Sequence, residues 1–374
     1  MIKVLFLIPT LAHGGAEKVL VNLANNINKQ EFDVTVQTLF DVGENKQFLS
    51  PDVRYIPGYK KLIKGNSKIM KLFSPRVLYK YFIKDSYDII VSYLEGPTAR
   101  IVSGCTDNNT KLVSWIHCTY KDIKDAAASF RSVKEMLFCY DRFDITACVS
   151  NSVKESFVKT LNFDKPITTI YNTIETDLIT QKSNDPVVDI KFDKDCFNIC
   201  SVGKIIPVKA FDRLARIHRR LLDEGIKNHV YIFGVGSGKA ELESLIDSLR
   251  IKDTFTLAGY RDNPYKYVKA CDLSVCSSLS EGLSTAVTEA LIVGTPVVTT
   301  LCSGMKELLG ENNEYGIVTD NNEEALYNGI KQILTADGML EHYGKKALER
   351  APYFSTENTV RSACEMFKAL INKR

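Results

Sequence analysis

Short apolar runs alternate along this chain with stretches whose apolar residues recur every three or four positions. That alternation predicts buried parallel strands joined by crossover helices. In the first half the runs Val4–Ile8, Val34–Leu39, Asp88–Tyr93, Leu112–His117 and Ile145–Val149 read as strands. In the second half the strands are Phe197–Val202, Val230–Phe233, Thr254–Leu257, Leu273–Cys276, Pro296–Thr299 and Gly316–Val318. Over Ala16–Ile27, residues Val19, Leu20, Leu23 and Ile27 share one helical face. The pattern lapses over Glu175–Asp195, which is polar, strand-poor and contains Asn184-Asp185-Pro186. The expected architecture is α/β: two Rossmann-like parallel-sheet domains facing each other across a cleft. The first covers 1–175, a linker 176–195, and the second 196–374, its last helix returning to the first domain. Ligands bind beyond the carboxyl ends of such sheets, so strand-to-helix turns should carry the chemistry. There is no repeat of 20–50 residues.

Composition narrows the class. A chain of 374 residues has room for two domains, and 45% hydrophobic with 25% charged residues is a globular profile. A net charge of +3 is too small for a general nucleic-acid binder, and no nucleic-acid partner is expected. The charge is uneven, with nine Lys/Arg and no Asp/Glu over Arg54–Lys84. There Lys60, Lys64, Lys68 and Lys71 interleave with Leu62, Ile63, Ile69, Met70, Leu72 and Phe73, though Gly65-Asn66-Ser67 interrupts any single helix. Such a segment suits an anionic membrane surface, at about 1 kcal/mol per basic residue. The alternative is a solvated helix face packed on the first domain. Ten scattered cysteines without a CxxC pair read as reduced core thiols. The opening Met1–Pro9 reads as a first strand, not a signal peptide, and no window approaches the roughly 18 apolar residues of a spanning helix. The expected location is cytoplasmic, at most peripheral on a membrane's inner face.

The most informative stretch is Ser280–Ala290, where Glu281 and Glu289 bracket a turn and a helix start. Ser284 or Thr285 is placed to cap that helix, and its first free amides form a seat for phosphate. Carboxylates on either side of an anion seat suit neutral hydroxyls flanking a diphosphate, the layout of a nucleotide-sugar. Lys204 and Lys209 follow the strand Phe197–Val202 and can reach a diphosphate; taken alone they would read as surface lysines, but their place at a strand end favours the diphosphate. Gly14-Gly15 opens a helix after the first strand, either as a ligand approach or as a tight turn. Gly234-Val235-Gly236-Ser237-Gly238-Lys239 fails as a P-loop because Phe233 and Ala240 stand at required positions. What remains is a glycine-rich turn near the nucleotide. His117 ends a strand and can donate to a sugar or phosphate oxygen, or be a satisfied structural histidine. His13, His218, His229 and His342 receive no role. There is no His/Cys cluster, Asp193-Lys194-Asp195 reads as solvated surface, and no metal site or cofactor is expected. Asn172 reads as a turn leading into the linker.

These residues resemble a retaining glycosyltransferase of family four, of the GT-B fold and of bacterial surface-polysaccharide assembly. The resemblance rests on Gly14-Gly15-Ala16-Glu17, His117, Ser150-Asn151-Ser152, Tyr171-Asn172-Thr173, Lys204 with Lys209, Gly259-Tyr260-Arg261, and Glu281 through Glu289. It implies that Glu281 touches the donor sugar near the reacting carbon and Glu289 holds ribose hydroxyls. Lys204 and Lys209 would grip the diphosphate, Gly15 would give it an amide, and His117 would approach the transferred sugar. Gly203, Gly234, Arg261, Gly282, Leu283, Ser284 and Thr285 complete the implied donor site. Lys204 stands where the family usually has arginine, Ala210 where glycine is usual, and Ser284 where glycine is common.

The implied reaction is metal-independent transfer of a hexose from a nucleotide-sugar, taken as a UDP-sugar, to a glycan or lipid-linked saccharide. An α-donor would give an α-linkage. Two lysines and a helix tip would stabilise the leaving diphosphate, and the acceptor would attack from the same face. Two alternatives stand beside it: an epimerase-like enzyme on the same scaffold, and a non-catalytic partner of an active transferase.

Overall fold

The computed structural model describes residues 1–12, 14–61 and 65–372. His13, Leu62, Ile63 and Lys64 therefore lie outside the described residues. The chain forms two compact units, one of Met1–Ile174 with Thr356–Arg374 and the other of Glu175–Ser355.

The first unit holds seven parallel strands: β1 (Ile2–Ile8), β2 (Phe32–Thr38), β3 (Arg54–Ile56), β4 (Ile89–Tyr93), β5 (Lys111–Ile116), β6 (Ile145–Cys148) and β7 (Ile167–Thr169). Their order is β3-β2-β1-β4-β5-β6-β7. β1 is apolar from Val4 to Ile8 because helices cover both faces of the sheet, and all five side chains are fully buried. β3 escapes the hydrophobic pattern because it is a three-residue edge strand, Arg54-Tyr55-Ile56, with no fully buried position. The basic segment Arg54–Lys84 forms that strand and then two short helices, Asn66–Met70 and Pro75–Phe82. Ser74 caps the second, accepting from the Val77 amide, with Pro75 at the first helical position. The C-terminal helix Thr356–Asn372 lays Phe367 edge-on to Phe6 and Phe32, with centroids 6.0 and 6.1 Å away.

The second unit holds β8 (Phe197–Val202), β9 (Asn228–Phe233), β10 (Phe255–Gly259), β11 (Leu273–Cys276), β12 (Val297–Thr300) and β13 (Ile317–Thr319). They are parallel, in the order β10-β9-β8-β11-β12-β13. The stretch 176–195 is not a bare connector. It contains a helix, Thr176–Ser183, and a strap held to the helix Tyr265–Ala270. Asn263 donates to the Lys182 carbonyl, Lys266 to that of Pro186, and Lys269 to the Asn184 side chain. Polar composition hid this packing, because Ile179 is the helix's one buried apolar side chain and the strap is held by hydrogen bonds.

In both sheets the strand order reverses once, between β1 and β4 and between β8 and β11. Those switch points leave crevices at the carboxyl ends of the strands. All ten cysteines are free, and seven are buried.

Candidate functional site

In the second unit the site is assembled from the turns after β8 and β11, the two strands at the switch point. After Val202 the chain runs through Gly203 and the single 3-10 turn Pro207–Lys209 into the helix Phe211–Asp223. Ala210, at the joint, has φ +49°, a left-handed conformation that costs a residue with Cβ roughly 1–2 kcal/mol. Lys209 Nζ lies 2.6 Å from Glu281 Oε1, and Ser278 Oγ donates to the same oxygen at 2.6 Å. The two charged side chains are only 21% and 12% exposed. Burial is the strongest influence on the Lys209 ammonium and opposes it, but the charge and hydrogen bond of Glu281, with Cys276 and Cys302 beside them, together leave the Lys209 pKa raised.

The two turns are stitched together. Ser277 Oγ donates to the Lys209 carbonyl at 2.8 Å, and the Leu279 amide to the Val208 carbonyl at 2.8 Å. Thr300 Oγ1 and Cys302 Sγ both donate to the Ser278 carbonyl, at 2.6 and 3.1 Å. Ser278 is thereby fixed from β12 and is 1% exposed. Gly282 and Leu283 follow, and Gly304 packs against them: a Cβ there would lie 2.8 Å from Leu283 Cδ1. Ser284 caps the helix Thr285–Ile292, accepting from the Val287 amide at 3.4 Å. Glu289, one turn into that helix, is 7% exposed.

Other expected donor residues are placed differently. Lys204 is exposed, whereas Lys209 is drawn onto Glu281. A Cβ at Gly234 would lie 1.9 Å from the Gly203 carbonyl oxygen, and one at Gly236 2.1 Å from that of Ile205. The glycine-rich turn thus has a packing reason of its own, the close approach of two strand-end turns. Arg261 is held by the strap, with an ion pair to Asp189 at 3.4 Å, while Asp189 also accepts from the Tyr267 hydroxyl. Asp193 and Asp195 are exposed.

The first unit presents its own strand-end cluster. Gly15 begins the helix Gly15–Asn26 after β1 and is exposed. His117 follows β5, and its ring meets that of Tyr93, the last residue of β4, with centroids 4.6 Å apart. Glu95 Oε1 accepts from two consecutive amides, His117 and Cys118, the second at 2.8 Å. Burial raises the Glu95 pKa, opposed by those backbone hydrogen bonds. Burial also depresses the His117 imidazole to about 3, so it is neutral at physiological pH. His117 Nε2 is buried with no hydrogen-bond partner among the described residues.

Residues 13–178 match the model for Glycosyltransferase Family 4, and residues 187–350 that for Glycosyl transferases group 1. The chain is a family-four glycosyltransferase. It is 29% identical over 373 residues to the N-acetylgalactosamine-N,N'-diacetylbacillosaminyl-diphospho-undecaprenol 4-alpha-N-acetylgalactosaminyltransferase of Campylobacter jejuni, covering 97% of this chain and 98% of that one. A second Campylobacter jejuni enzyme, an alpha-1,4-N-acetyl-D-galactosaminyltransferase acting on a diphospho-undecaprenol-linked saccharide, is 25% identical and covers 95% of each chain. Among solved structures, sucrose-phosphate synthase from Thermosynechococcus elongatus matches with a TM-score of 0.80 at 17% identity, over 100% of both chains. Anabaena HepE in complex with UDP-glucose matches with 0.77 at 17% identity, over 99% of this chain and 100% of that one. Two parallel-sheet α/β units make this glycosyltransferase a GT-B protein.

Two residues of the glycosyltransferase that sequence reasoning passed over stand out. Ser278 lies three positions before Glu281 and shares its carboxylate, a spacing that alone suggests a turn hydrogen bond. Glu95 sits just past a strand, as His117 does, and that position was its available signal. Its neighbours Leu94 and Gly96 both have positive φ, +86° and +82°. Strain of this kind collects at functional turns.

Proposed function

We propose that this enzyme transfers a hexose from a nucleotide-sugar, a UDP-sugar, to a lipid-linked or glycan saccharide, with retention and an α-linkage. The observation that carries the reading is Lys209 and Ser278 converging on Glu281 in the turn before a capped, buried helix. A buried ammonium beside a helix N-terminus can stabilise charge on a leaving diphosphate without a metal ion. Glu281, with Oε1 already taken by Lys209, Ser278 and the Cys276 thiol, offers Oε2 to a sugar hydroxyl. Glu289, buried in the same helix, is the carboxylate we assign to the ribose hydroxyls. Lys204 is exposed and can close on phosphate when the donor arrives. Within the first unit, Gly15 carries a helix-start amide suited to an anion and His117 a neutral imidazole suited to a sugar hydroxyl. The Campylobacter relatives, α-transferases on diphospho-undecaprenol-linked saccharides by name, support the linkage and the acceptor class.

The acceptor class favours work at a membrane surface, and the first unit has a face suited to it. In and beside the two short helices, Lys68, Arg76 and Lys80 are exposed, as are Leu72, at 76%, Val77, 50%, and Tyr81, 55%. The face is rigidly backed. Arg100, 1% exposed, donates to the Met70 and Phe73 carbonyls at 2.6 Å each and forms a double hydrogen bond with Glu135. Charged and apolar groups so presented suit an anionic leaflet.

A thermal-shift panel of UDP-, GDP- and ADP-sugars tests the donor reading, since a ligand of the native state raises its midpoint. UDP-sugars should shift it and the others should not. No shift with any nucleotide-sugar would overturn the reading and favour a non-catalytic partner. Isomerised sugar appearing without an acceptor would favour the epimerase.

A further inference from the structure

At the carboxyl ends of β4 and β5 in the first unit, two neighbouring polar side chains stand out. Tyr93 Oη and His117 Nε2 are both buried and have no hydrogen-bond partner among the described residues. Tyr93 is 0% exposed, its ring packed between Phe6 at 6.0 Å, Trp115 at 5.3 Å and His117 at 4.6 Å. A buried hydroxyl without a partner is destabilising, so a phenylalanine would serve the core better. The residue nevertheless stands at the carboxyl end of β4, one of the two strands flanking the switch point of its sheet.

We propose that Tyr93 is a substrate-reading residue, pairing with His117 to bind one sugar hydroxyl or amide group. The inference rests on the glycosyltransferase reading above. The ligand group is neutral for two reasons. Both readers are uncharged, since burial keeps the phenol protonated and the imidazole neutral. The neighbouring charges are also acidic: Glu95 lies beneath the His117 amide, and the Glu17 carboxylate acts on the Tyr93 phenol. A phosphate would be repelled there. A hydroxyl fits because it both accepts and donates, and phenol and imidazole can each take either role. Glu95 holds the strand end from which His117 projects, so the spacing of the two readers is set before the sugar arrives. Glu17 lies folded back over Gly14, where a Cβ would meet its Oε2 at 1.9 Å. What crowds this turn is a flexible side chain that a sugar can displace.

The test is Tyr93→Phe, with Tyr87→Phe as control. Tyr87 is buried too, but at the amino end of β4, away from the ligand side of the sheet. The intact chain and both variants are assayed with UDP-glucose, UDP-N-acetylglucosamine and UDP-N-acetylgalactosamine, with and without a diphospho-undecaprenol-linked saccharide, alongside thermal unfolding. Tyr93→Phe should unfold at the parental temperature or above and lose roughly tenfold in kcat/KM. Tyr87→Phe should stay within about twofold of the parent. If the sugar belongs to the donor, hydrolysis of the nucleotide-sugar falls in parallel. If it belongs to the acceptor, hydrolysis is unchanged and the acceptor KM rises. Unchanged turnover in Tyr93→Phe, or a marked drop in its unfolding temperature, would overturn the proposal while leaving the function reading intact. A parent with no turnover on any of these donors would sink the function reading and this inference with it.

Discussion

The two units carry polar groups at the carboxyl ends of their sheets but handle them in opposite ways. In the second, Lys209, Ser278 and Glu281 satisfy one another without a ligand. In the first, Glu95 is satisfied by backbone amides while Tyr93 Oη and His117 Nε2 have no partner among the described residues. Charges cannot be left alone in a low-dielectric pocket, whereas neutral groups can wait at a cost of about 1–3 kcal/mol each. The second unit therefore has a preassembled electrostatic site. The first has an incomplete one that substrate finishes.

The sharpest way to break this contrast is to remove the shared anion. Glu281→Ala leaves the Lys209 ammonium buried without its partner and takes away the proposed sugar contact. Turnover should fall by about 100- to 1,000-fold, as when a preorganised polar contact is lost from a transition state. Glu281→Gln, which keeps hydrogen bonding without charge, should recover part of it. A Glu281→Ala enzyme with near-parental kcat/KM would show the ion pair to be structural only. Ser278→Ala should act more weakly, by roughly tenfold, because Lys209 still holds the carboxylate. Its effect should vanish in a Glu281→Ala background, a coupling that a double-mutant cycle measures.

The electrostatic half of this comparison was readable from sequence, and the neutral half was not. Glu281 and Lys209 declare themselves because a charged residue after a buried strand has few structural uses, and the strand is visible from its apolar run. The helix cap at Ser284 follows local rules as well. The pairing of Tyr93 with His117 joins residues 24 positions apart on adjacent strands, so only the β4–β5 register reveals it. Glu95 was hidden for the same reason: its partners are amides, and amides leave no mark in a sequence. The helix Thr176–Ser183 was lost because its strap is held by polar contacts, which resemble those of a solvated linker. The three-residue β3 lies at an edge, where one neighbour and a charged composition erase the strand pattern.

Acid sharpens the contrast next. His117 is depressed to about 3 in the folded chain, and His218, buried between Asn228 and Thr254, to about 4. The unfolded chain holds these imidazoles near 6.5, so between that pH and about 4 it binds more protons than the native state. Stability is therefore full above about pH 6.5 and declines as pH falls through this window. Thermal midpoints measured from pH 7.5 to 4.5 should drop, and His117→Gln should flatten the slope. An unchanged slope would mean that His117 is not desolvated in the native protein.

The smallest expected effect concerns backbone. Each site places a key side chain beside a non-glycine residue with positive φ: Lys209 before Ala210, at +49°, and Glu95 after Leu94, at +86°. At Ala210 the strain can be tested almost alone, because glycine removes only a methyl group. Relief of the left-handed conformation is worth roughly 1–2 kcal/mol, offset by the lost methyl contact and the freer unfolded chain. Ala210→Gly should thus be neutral or more stable by about 0.5 kcal/mol, and turnover should hold because Lys209 keeps its partner. Leu94→Gly removes a half-buried side chain as well and should lose stability. If Ala210→Gly instead lowered the unfolding temperature by several degrees, the turn after β8 would not be strained. Lys209 would then owe its position to the ion pair and not to the backbone.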